Sequence, residues 1–423
     1  MLYFRQGFIL NSGKSFINKI VVSKYGIHDT ILELIYKFNF DKLLPSGSFM
    51  ITLVAYCIGL ILFHNPTATY VADRLLWVSH DALTRLLPVL SINNNNIIIL
   101  FIQGIQSYTA NLGYLIIDDV IIRKPFGKTI APTSYVYDHT NHTYVWGMHI
   151  VVLLWSNGWF KVPVAFRIWL PKEKCETYHT KIELAMDMIN FAHNFGLLAE
   201  YVSFDTWYSS KAIFALLKNS NYHFCCMVKS NRKVVYKPQK GIKFTVATIN
   251  MLYNKKQYRY YPATGFYIKA MSVILPDIGE VKLAIVKNGY NATLQGTRYI
   301  ITDMLETNAQ DIVKKYLCRW DIEVFFRDIK QHLNFEKFQI RKLSQIEGFL
   351  SITMISFLFV QILQIQNNLS TIGETIGFLQ EFVQVKVDNL IYIINLSSDD
   401  GKCKEVNSVS NPVATTIWEK LSA

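Results

Sequence analysis

Apolar runs separated by short polar breaks make up the first hundred residues of the chain. The runs at residues 31–38 and 49–63 lie on either side of a Pro-Ser-Gly-Ser turn at 45–48. Residues 67–87 then predict two short helices, with Ser79 as the N-cap of the second. The pair fits either a helix–turn–helix or an ordinary helical hairpin. The pattern therefore predicts an all-α N-terminal region.

Beyond residue 112 the spacing of apolar positions changes from helical to strand-like. Residues 114–122 predict a strand, and two β-branched, aromatic runs at 144–155 and 159–170 are joined by Ser-Asn-Gly, a hairpin signature. The pattern that follows predicts, in order, a helix at 176–196, a strand at 201–205, a helix at 209–218, a strand at 223–229, a strand at 298–302 and helices up to about 367. This order predicts an α/β domain with a mixed sheet, in which side chains at strand ends can converge.

Membrane insertion, secretion and disulfide bonding are all disfavoured by the sequence. The longest apolar runs, 49–63 and 349–363, each have about 15 residues, and a bilayer crossing needs about 18–20. The N-terminal segment MLYFRQGFIL has no small-residue cleavage site, so we do not expect a signal peptide. The six cysteines form no C-x-x-C pair, which disfavours a zinc finger or a disulfide framework and favours a reducing cytosol.

Positive charge is concentrated in one segment of the chain. The whole sequence has 43 basic and 31 acidic residues, a net charge of +12. Residues 229–276 contain ten Lys and Arg, among them Lys255, Lys256 and Arg259, and no Asp or Glu. Because cations neutralise phosphates and aromatic faces stack on exposed bases, the segment predicts a nucleic-acid surface; a solvated basic face of a β-rich segment is the alternative. Its tyrosines are Tyr236, Tyr253, Tyr258, Tyr260, Tyr261 and Tyr267.

Carboxylates follow two of the predicted strands. Asp118 and Asp119 come directly after the apolar run Leu-Ile-Ile, and Asp205 comes after Tyr-Val-Ser-Phe. A buried carboxylate needs a partner, and two at neighbouring strand ends form the hard-oxygen site that Mg²⁺ prefers. Adjacent strand residues face opposite sides of a sheet, so only one of Asp118 and Asp119 can be the ligand. A turn former or helix cap is the alternative for each of these acids.

A polar stripe occupies one side of a predicted helix near residue 320. On a helical wheel Tyr316, Arg319, Glu323, Arg327 and Lys330 lie within about 80° of one another, and apolar residues occupy the opposite side. One carboxylate beside three cations suits a phosphodiester, which needs a metal ligand next to charges that hold the phosphate. The alternative is a solvent-exposed helix face stabilised by i,i+4 ion pairs.

The spacing of this stripe resembles a known signature. Tyr316, Arg319, Glu323 and Lys330 resemble the Y-x2-R-x3-E-x6-K signature of bacterial cut-and-paste insertion-sequence transposases of the DDE type. The segments LIIDDV, YDHTNHTYVWG and FDTWYSS resemble the first and second acidic motifs of that family. The likeness covers roughly residues 112–230 and 298–365, with a weaker likeness in the helical N-terminal region.

The resemblance implies a fold, a cofactor and a set of site residues. It implies an RNase H-like catalytic core, interrupted by a β-rich insertion that coincides with the basic segment. It also implies a D-D-E triad of Asp119, Asp205 and Glu323 that binds two Mg²⁺ or Mn²⁺ ions, one to activate the attacking hydroxyl and one to stabilise the leaving oxygen. The candidate DNA-contacting residues are Tyr316, Arg319, Arg327, Lys330, Lys255, Lys256 and Arg259.

Two departures from the family pattern stand out. Val120 follows the candidate aspartate where the family usually has Thr, and Asp119 is preferred to Asp118 by its position in the motif. The basic insertion contains no Trp, so a tryptophan wedge for a flipped base is absent there, and a tyrosine is the alternative.

These features predict an α/β protein with five regions and a role in DNA transposition. The regions are a helical N-terminal region with possible DNA binding (1–108), the first part of an RNase H-like core (109–230), a basic β-rich insertion (231–297), the second part of the core with the Glu323 helix (298–367) and a C-terminal tail (368–423). The expected activity is metal-dependent cleavage and joining of double-stranded DNA at element ends and target, by a homodimer in the bacterial cytoplasm, at the nucleoid, without a membrane partner. The alternatives are an inactive DNA-binding remnant and another RNase H-like nuclease. The sequence leaves open the inverted repeats, the target site, the cleavage intermediate and whether this copy is active.

Overall fold

The computed structural model describes residues 26–75, 77–109, 112–138, 141–236, 242–276 and 278–381. In the described part of residues 26–109 the regular elements are helices, with apolar faces that join the main core. They are α1 (Ile27–Lys37), α2 (Gly47–Leu62), α3 (Ala68–Arg74), α4 (His80–Ile92) and α5 (Asn94–Tyr108). Ser79 caps α4 as predicted, since its hydroxyl accepts a hydrogen bond from the Ala82 N–H at 3.2 Å.

A mixed sheet with two connecting helices follows the N-terminal helices. Its elements are β1 (Gly113–Arg123), β2 (Ser134–Asp138), β3 (Thr143–Ser156), β4 (Lys161–Ile168), α6 (Lys181–Asn194), β5 (Ala199–Phe204), α7 (Lys211–Asn219) and β6 (His223–Val228). Strands β1, β3 and β4 form an antiparallel meander, and β5 and β6 continue the sheet parallel to β1, giving the order β4-β3-β1-β5-β6. This is the arrangement of an RNase H-like core, as the sequence predicted. The hairpin at Ser-Asn-Gly is also confirmed.

The basic insertion extends this sheet. Its elements are β7 (Lys233–Val235), β8 (Lys243–Thr245), α8 (Val246–Met251), β9 (Arg259–Tyr261), β10 (Phe266–Leu275) and β11 (Gly279–Lys287), and β12 (Thr297–Thr302) follows them. Because β12 pairs with β6 on one side and with β11 on the other, the strands of core and insertion form one continuous sheet. The side chain of Tyr258 is buried and donates a hydrogen bond to Asn250 Oδ1 at 2.6 Å, so this tyrosine is not available to stack on a base.

Three helices complete the main body: α9 (Ala309–Leu317), α10 (Trp320–His332) and α11 (Leu343–Gln366). Residues 372–381 are also helical, and the predicted tail beyond 381 lies outside the described residues. The stripe is not on a single helix, because the chain tightens at Cys318 and Arg319. There the Arg319 N–H bonds to the carbonyl of Tyr316 and the Asp321 N–H to that of Cys318, three residues back instead of four.

Helix α11 is longer than the apolar run that the sequence suggested. Its polar residues Ser351 and Thr353 donate hydrogen bonds to carbonyls four residues back, at 3.0 and 2.9 Å, so they continue the helix instead of interrupting it. Among the described helices only α11 is by itself long and apolar enough to cross a bilayer. Helices α4 and α5, which meet at a bend of 76°, would be long enough only if the two together formed one broken span. In the most apolar 18-residue stretch of α11, 94% is buried inside the protein, which is typical of a core helix.

Candidate active site

Two of the predicted acids lie at the same level of adjoining parallel strands. The pairing of β1 with β5 ends at Ile117 and Phe204, so Asp118 and Asp205 are the next residues on their strands. Asp205 Oδ1 accepts a hydrogen bond from the Trp207 N–H at 2.9 Å, which fixes the turn after β5. Asp205 is not the cap of α7, because Ser210 takes that position. The sheet therefore brings Asp118 and Asp205 together.

Asp118 lies in a strongly acidic environment with one cationic partner. Its Oδ2 accepts a hydrogen bond from Arg319 Nη1 at 2.9 Å. Burial raises the pKa of Asp118 to about 7; the charge of Arg319 lowers the pKa, and Asp205 raises it further.

Glu323 reaches this site through Arg319. The Nη2 of the same guanidinium donates to Glu323 Oε1, so Arg319 bridges the carboxylates of Asp118 and Glu323. The N-terminal turn of α10 that carries Glu323 is itself anchored to the core sheet. Asp321 Oδ2 accepts hydrogen bonds from the hydroxyls of Tyr114 at 2.7 Å and Ser156 at 2.6 Å. These bonds tie α10 to β1, the strand that carries Asp118.

Asp119 lines the same cleft as Asp118 and Asp205, but other side chains hold its carboxylate. Lys181 Nζ lies 3.0 and 2.9 Å from its two oxygens, His149 Nδ1 lies 2.8 Å from Oδ2, and the Tyr208 hydroxyl donates to Oδ1 at 2.9 Å. Burial alone would raise the pKa of Asp119, but the hydrogen bond from His149 and the charge of Lys181 outweigh it and lower the pKa to about 2. The sequence-based choice of Asp119 thus corresponds to a carboxylate already held by three donors.

The oxygen chemistry of Asp118, Asp205 and Glu323 suits a hard divalent ion. Their spacing in this structure does not form a metal site: among the described residues, no three His, Cys, Asp or Glu side chains come close enough to hold an ion. The guanidinium of Arg319 lies between two of the three acids instead. The donor chemistry thus agrees with the sequence prediction, and the spacing does not.

The other predicted residues occupy different parts of the molecule. Lys330 Nζ pairs with Glu336 at 2.8 Å and lies in a cleft of about 950 Å³ together with Asp118 and Asp205. Arg327 is exposed and pairs with the adjacent Asp328 at 3.2 Å. Tyr316, on α9, lines a separate cavity of about 270 Å³ whose walls are mostly apolar. The predicted cations of the insertion, Lys255, Lys256 and Arg259, are exposed and line neither space.

Several side chains of the site are not indicated by the sequence pattern. Lys181 directly follows Thr180, whose capping box with Glu183 is a recognisable helix start, but nothing in the sequence connects this lysine with Asp119. Trp207 is 51% exposed in the same cleft, and Lys181 Nζ lies 4.7 Å from the centre of its ring. Cation and ring meet only because α6 and the turn after β5 pack beside β1.

Two family models match this chain, and both concern DNA-processing enzymes. The family described as "Archaeal putative transposase ISC1217" matches residues 169–372, a span that contains Asp205 and Glu323. The family described as "DDE superfamily endonuclease" matches residues 43–245, a span that contains Asp118, Asp119 and Asp205. No curated protein matches the chain. With the RNase H-like sheet and the three acids in the order Asp, Asp, Glu, these matches show that the chain is similar to DDE transposases and endonucleases.

Proposed function

We propose that this protein is a DNA transposase that binds the ends of its own element, cleaves the DNA strands there and joins them to a target. The observation that carries the proposal is the position of Asp118 and Asp205 at the same level of adjoining parallel strands, with Glu323 one guanidinium away from Asp118. The proposed setting is the cytoplasm, at the nucleoid, with a homodimer on paired DNA ends and no membrane partner.

The proposed triad is Asp118, Asp205 and Glu323, with Asp118 in place of Asp119. Asp118 faces Arg319, and through it Glu323, whereas both oxygens of Asp119 are engaged by Lys181 on the other side of β1. The three carboxylates would be the ligands of divalent ions, Mg²⁺ or Mn²⁺, two in number by family resemblance. When bound, such ions supply activation of the attacking hydroxyl and stabilisation of the leaving oxygen.

The cations near the triad would hold the scissile phosphate. Arg319 and Lys330 both lie beside the acids, where charge develops on the phosphate in the transition state. Each has a carboxylate partner in the DNA-free protein, so each must exchange that partner for a phosphate oxygen. Tyr316 packs against Arg319, whose guanidinium carbon lies 5.9 Å from the centre of the tyrosine ring, and we assign it to the support of Arg319 at the scissile phosphate. Arg327 is exposed, and we assign it to a contact along the DNA.

The insertion would contribute a second DNA-binding surface. Lys255, Lys256 and Arg259 are exposed, and the segment around them contains no acidic residue. Arg259 lies over the ring of Tyr261, with its guanidinium carbon 5.4 Å from the ring centre, so these two side chains present a combined cationic and aromatic surface. Such a surface suits a phosphate backbone.

Cleavage of labelled DNA that carries an element end tests the proposal. We expect Asp205→Asn and Glu323→Gln to abolish strand cleavage, to retain DNA binding and to leave the fold intact, because each removes a carboxylate without removing a phosphate contact. Asp187→Asn is the matched control, since Asp187 lies on α6 and pairs with Arg167 away from the site. Cleavage should also stop when EDTA removes divalent ions.

Two outcomes would contradict this function. Cleavage that persists in EDTA, or in both triad variants, would show that the carboxylates do not serve as metal ligands. A wild-type protein that binds the DNA end but cuts neither strand in Mg²⁺ or Mn²⁺ would instead favour the inactive DNA-binding remnant.

A further inference from the structure

Arg319 occupies the centre of the acidic group. Its Nη1 lies 2.9 Å from Asp118 Oδ2, and its Nη2 donates to Glu323 Oε1. The Arg319 side chain is only 16% exposed, and the side chains of Asp118 and Glu323 are 21% and 32% exposed. The arginine is therefore shielded from solvent and bonded by two separate nitrogens to two carboxylates.

This arrangement neutralises acids that would otherwise repel each other. Asp118 adjoins both Asp205 and Asp119, and each of these two acids raises the pKa of Asp118. Like charges brought together away from water need a nearby counter-charge, and a guanidinium with two parallel donors is the side chain best suited to bridge carboxylates. A divalent ion bound by Asp118 and Glu323 would compete with this guanidinium for the same two carboxylates.

We infer that Arg319 is the resident counter-cation of the acidic group in the DNA-free protein, and that a DNA phosphodiester draws it away so that a divalent ion can take its place. The inference rests on the proposed function, because it takes Asp118 and Glu323 as metal ligands. A phosphate oxygen pair offers the guanidinium the same fork-shaped contact as the carboxylates. Arg319 thus couples phosphate binding to metal binding.

The coupling has a thermodynamic consequence. If DNA and a divalent ion each favour the state in which Arg319 has left the carboxylates, each must raise the affinity of the other by the same factor. The protein then completes its metal site more readily when DNA is bound than when it is free.

Mn²⁺ binding to the DNA-free full-length protein, measured by calorimetry, tests this role. We expect Arg319→Gln to bind Mn²⁺ at least about tenfold more tightly than wild type, within the usual range of coupling between sites. Arg167→Gln is the matched control, because Arg167 bonds to Asp187 at 2.9 and 2.8 Å outside the site, and its Mn²⁺ affinity should equal that of wild type.

A second arm uses a DNA end with a non-cleavable phosphate analogue at the scissile position. Wild-type protein should gain Mn²⁺ affinity on this DNA, and it should gain DNA affinity in Mn²⁺ by the same factor. In Arg319→Gln both gains should be smaller. If Arg319→Gln does not fold, as judged by its thermal melt, Arg319→Lys replaces it and should bind Mn²⁺ more tightly than wild type, since one ammonium cannot bridge both carboxylates.

The outcomes separate this inference from the proposed function. Unchanged or weaker Mn²⁺ binding by a folded Arg319 variant, with binding that is still lost in Glu323→Gln, overturns the role of Arg319 alone. Mn²⁺ binding that is insensitive to Glu323→Gln in both the wild-type and the Arg319→Gln background overturns the ligand assignment and this inference with it.

Discussion

At the scale of single residues, the two neighbouring aspartates of β1 have opposite environments. Asp118 shares one guanidinium with Glu323 and has a pKa raised by burial, whereas Asp119 is held by Lys181 and His149 and has a lowered pKa. Alternation along a strand is the cause, because successive side chains point to opposite faces. One face meets α10 and the other meets α6 and the turn after β5.

Substituting each aspartate by its neutral isostere separates their roles. We expect Asp118→Asn to abolish cleavage, because it removes a metal ligand, and to cost little stability, because Arg319 keeps Glu323 as a charged partner. Asp119→Asn should lower the free energy of unfolding by about 3–5 kcal/mol, since it leaves Lys181 partly buried without its partner. Chemical denaturation and a cleavage assay at a temperature where both variants are folded provide the measurements.

Our triad assignment would be refuted by the reverse result. If Asp118→Asn cleaved DNA at the wild-type rate while the folded Asp119→Asn variant did not, the family-motif choice of Asp119 would be correct. The three donors around Asp119 would then be partners that a metal ion displaces.

At the scale of elements, the position of α10 decides whether Glu323 can reach Asp118. Asp321 provides the link, because it accepts hydrogen bonds from Tyr114 on β1 and Ser156 on β3 and lies 3.8 Å from Lys161 on β4. Three strands of the core sheet thus hold the first turn of the helix. Tyr114 also lies four residues before Asp118 on β1, so the two side chains are on the same face of the strand.

Removing one of these bonds should disturb positioning without removing a site residue. We expect Tyr114→Phe to lower the maximal cleavage rate several-fold and to leave DNA affinity unchanged, because a hydrogen bond to a charged group contributes about 1.5–3 kcal/mol. Tyr222→Phe is the matched control: its buried hydroxyl bonds to the Leu197 carbonyl, away from α10. Equal cleavage rates for both folded variants would show that α10 does not depend on this anchor.

At the scale of the whole molecule, the continuous sheet fixes the insertion relative to the catalytic core. Strand β12 pairs with β6 of the core and with β11 of the insertion, so the two parts share backbone hydrogen bonds instead of a flexible linker. Exposed cations on the insertion can therefore set the path of DNA relative to the acids. In the function that we propose, the basic segment and the candidate active site act on one DNA molecule.

The salt dependence of DNA binding measures the contribution of the insertion. Neutralising Lys255, Lys256 and Arg259 together to Gln should reduce the magnitude of the log–log salt slope by up to about 2.7, because each lost phosphate contact contributes about 0.9. Stability should change by less than about 0.5 kcal/mol per site, since all three side chains are exposed. Fluorescence titrations of a labelled DNA end at several salt concentrations provide the test. An unchanged slope would show that these cations face solvent in the complex.

The sequence by itself determined the local elements and the order of the acids. The cap at Ser79, the hairpin at Ser-Asn-Gly and the strand before Asp205 follow from interactions among neighbouring residues, which a linear pattern contains. The order of strands and helices in an α/β domain was predicted for the same reason, and the RNase H-like core was implied by the family resemblance. The signature from Tyr316 to Lys330 indicated the family.

Only the tertiary structure decided which side chains meet. The different partners of Asp118 and Asp119, the bridge formed by Arg319 and the burial of Tyr258 depend on contacts between segments distant in the chain. Asp118 and Arg319, for example, are 201 residues apart. A periodicity of two shows that neighbouring strand residues face opposite sides, but not which side a distant helix will cover. That choice belongs to packing, because the free energy of burying a helix against one face depends on every surface that it meets.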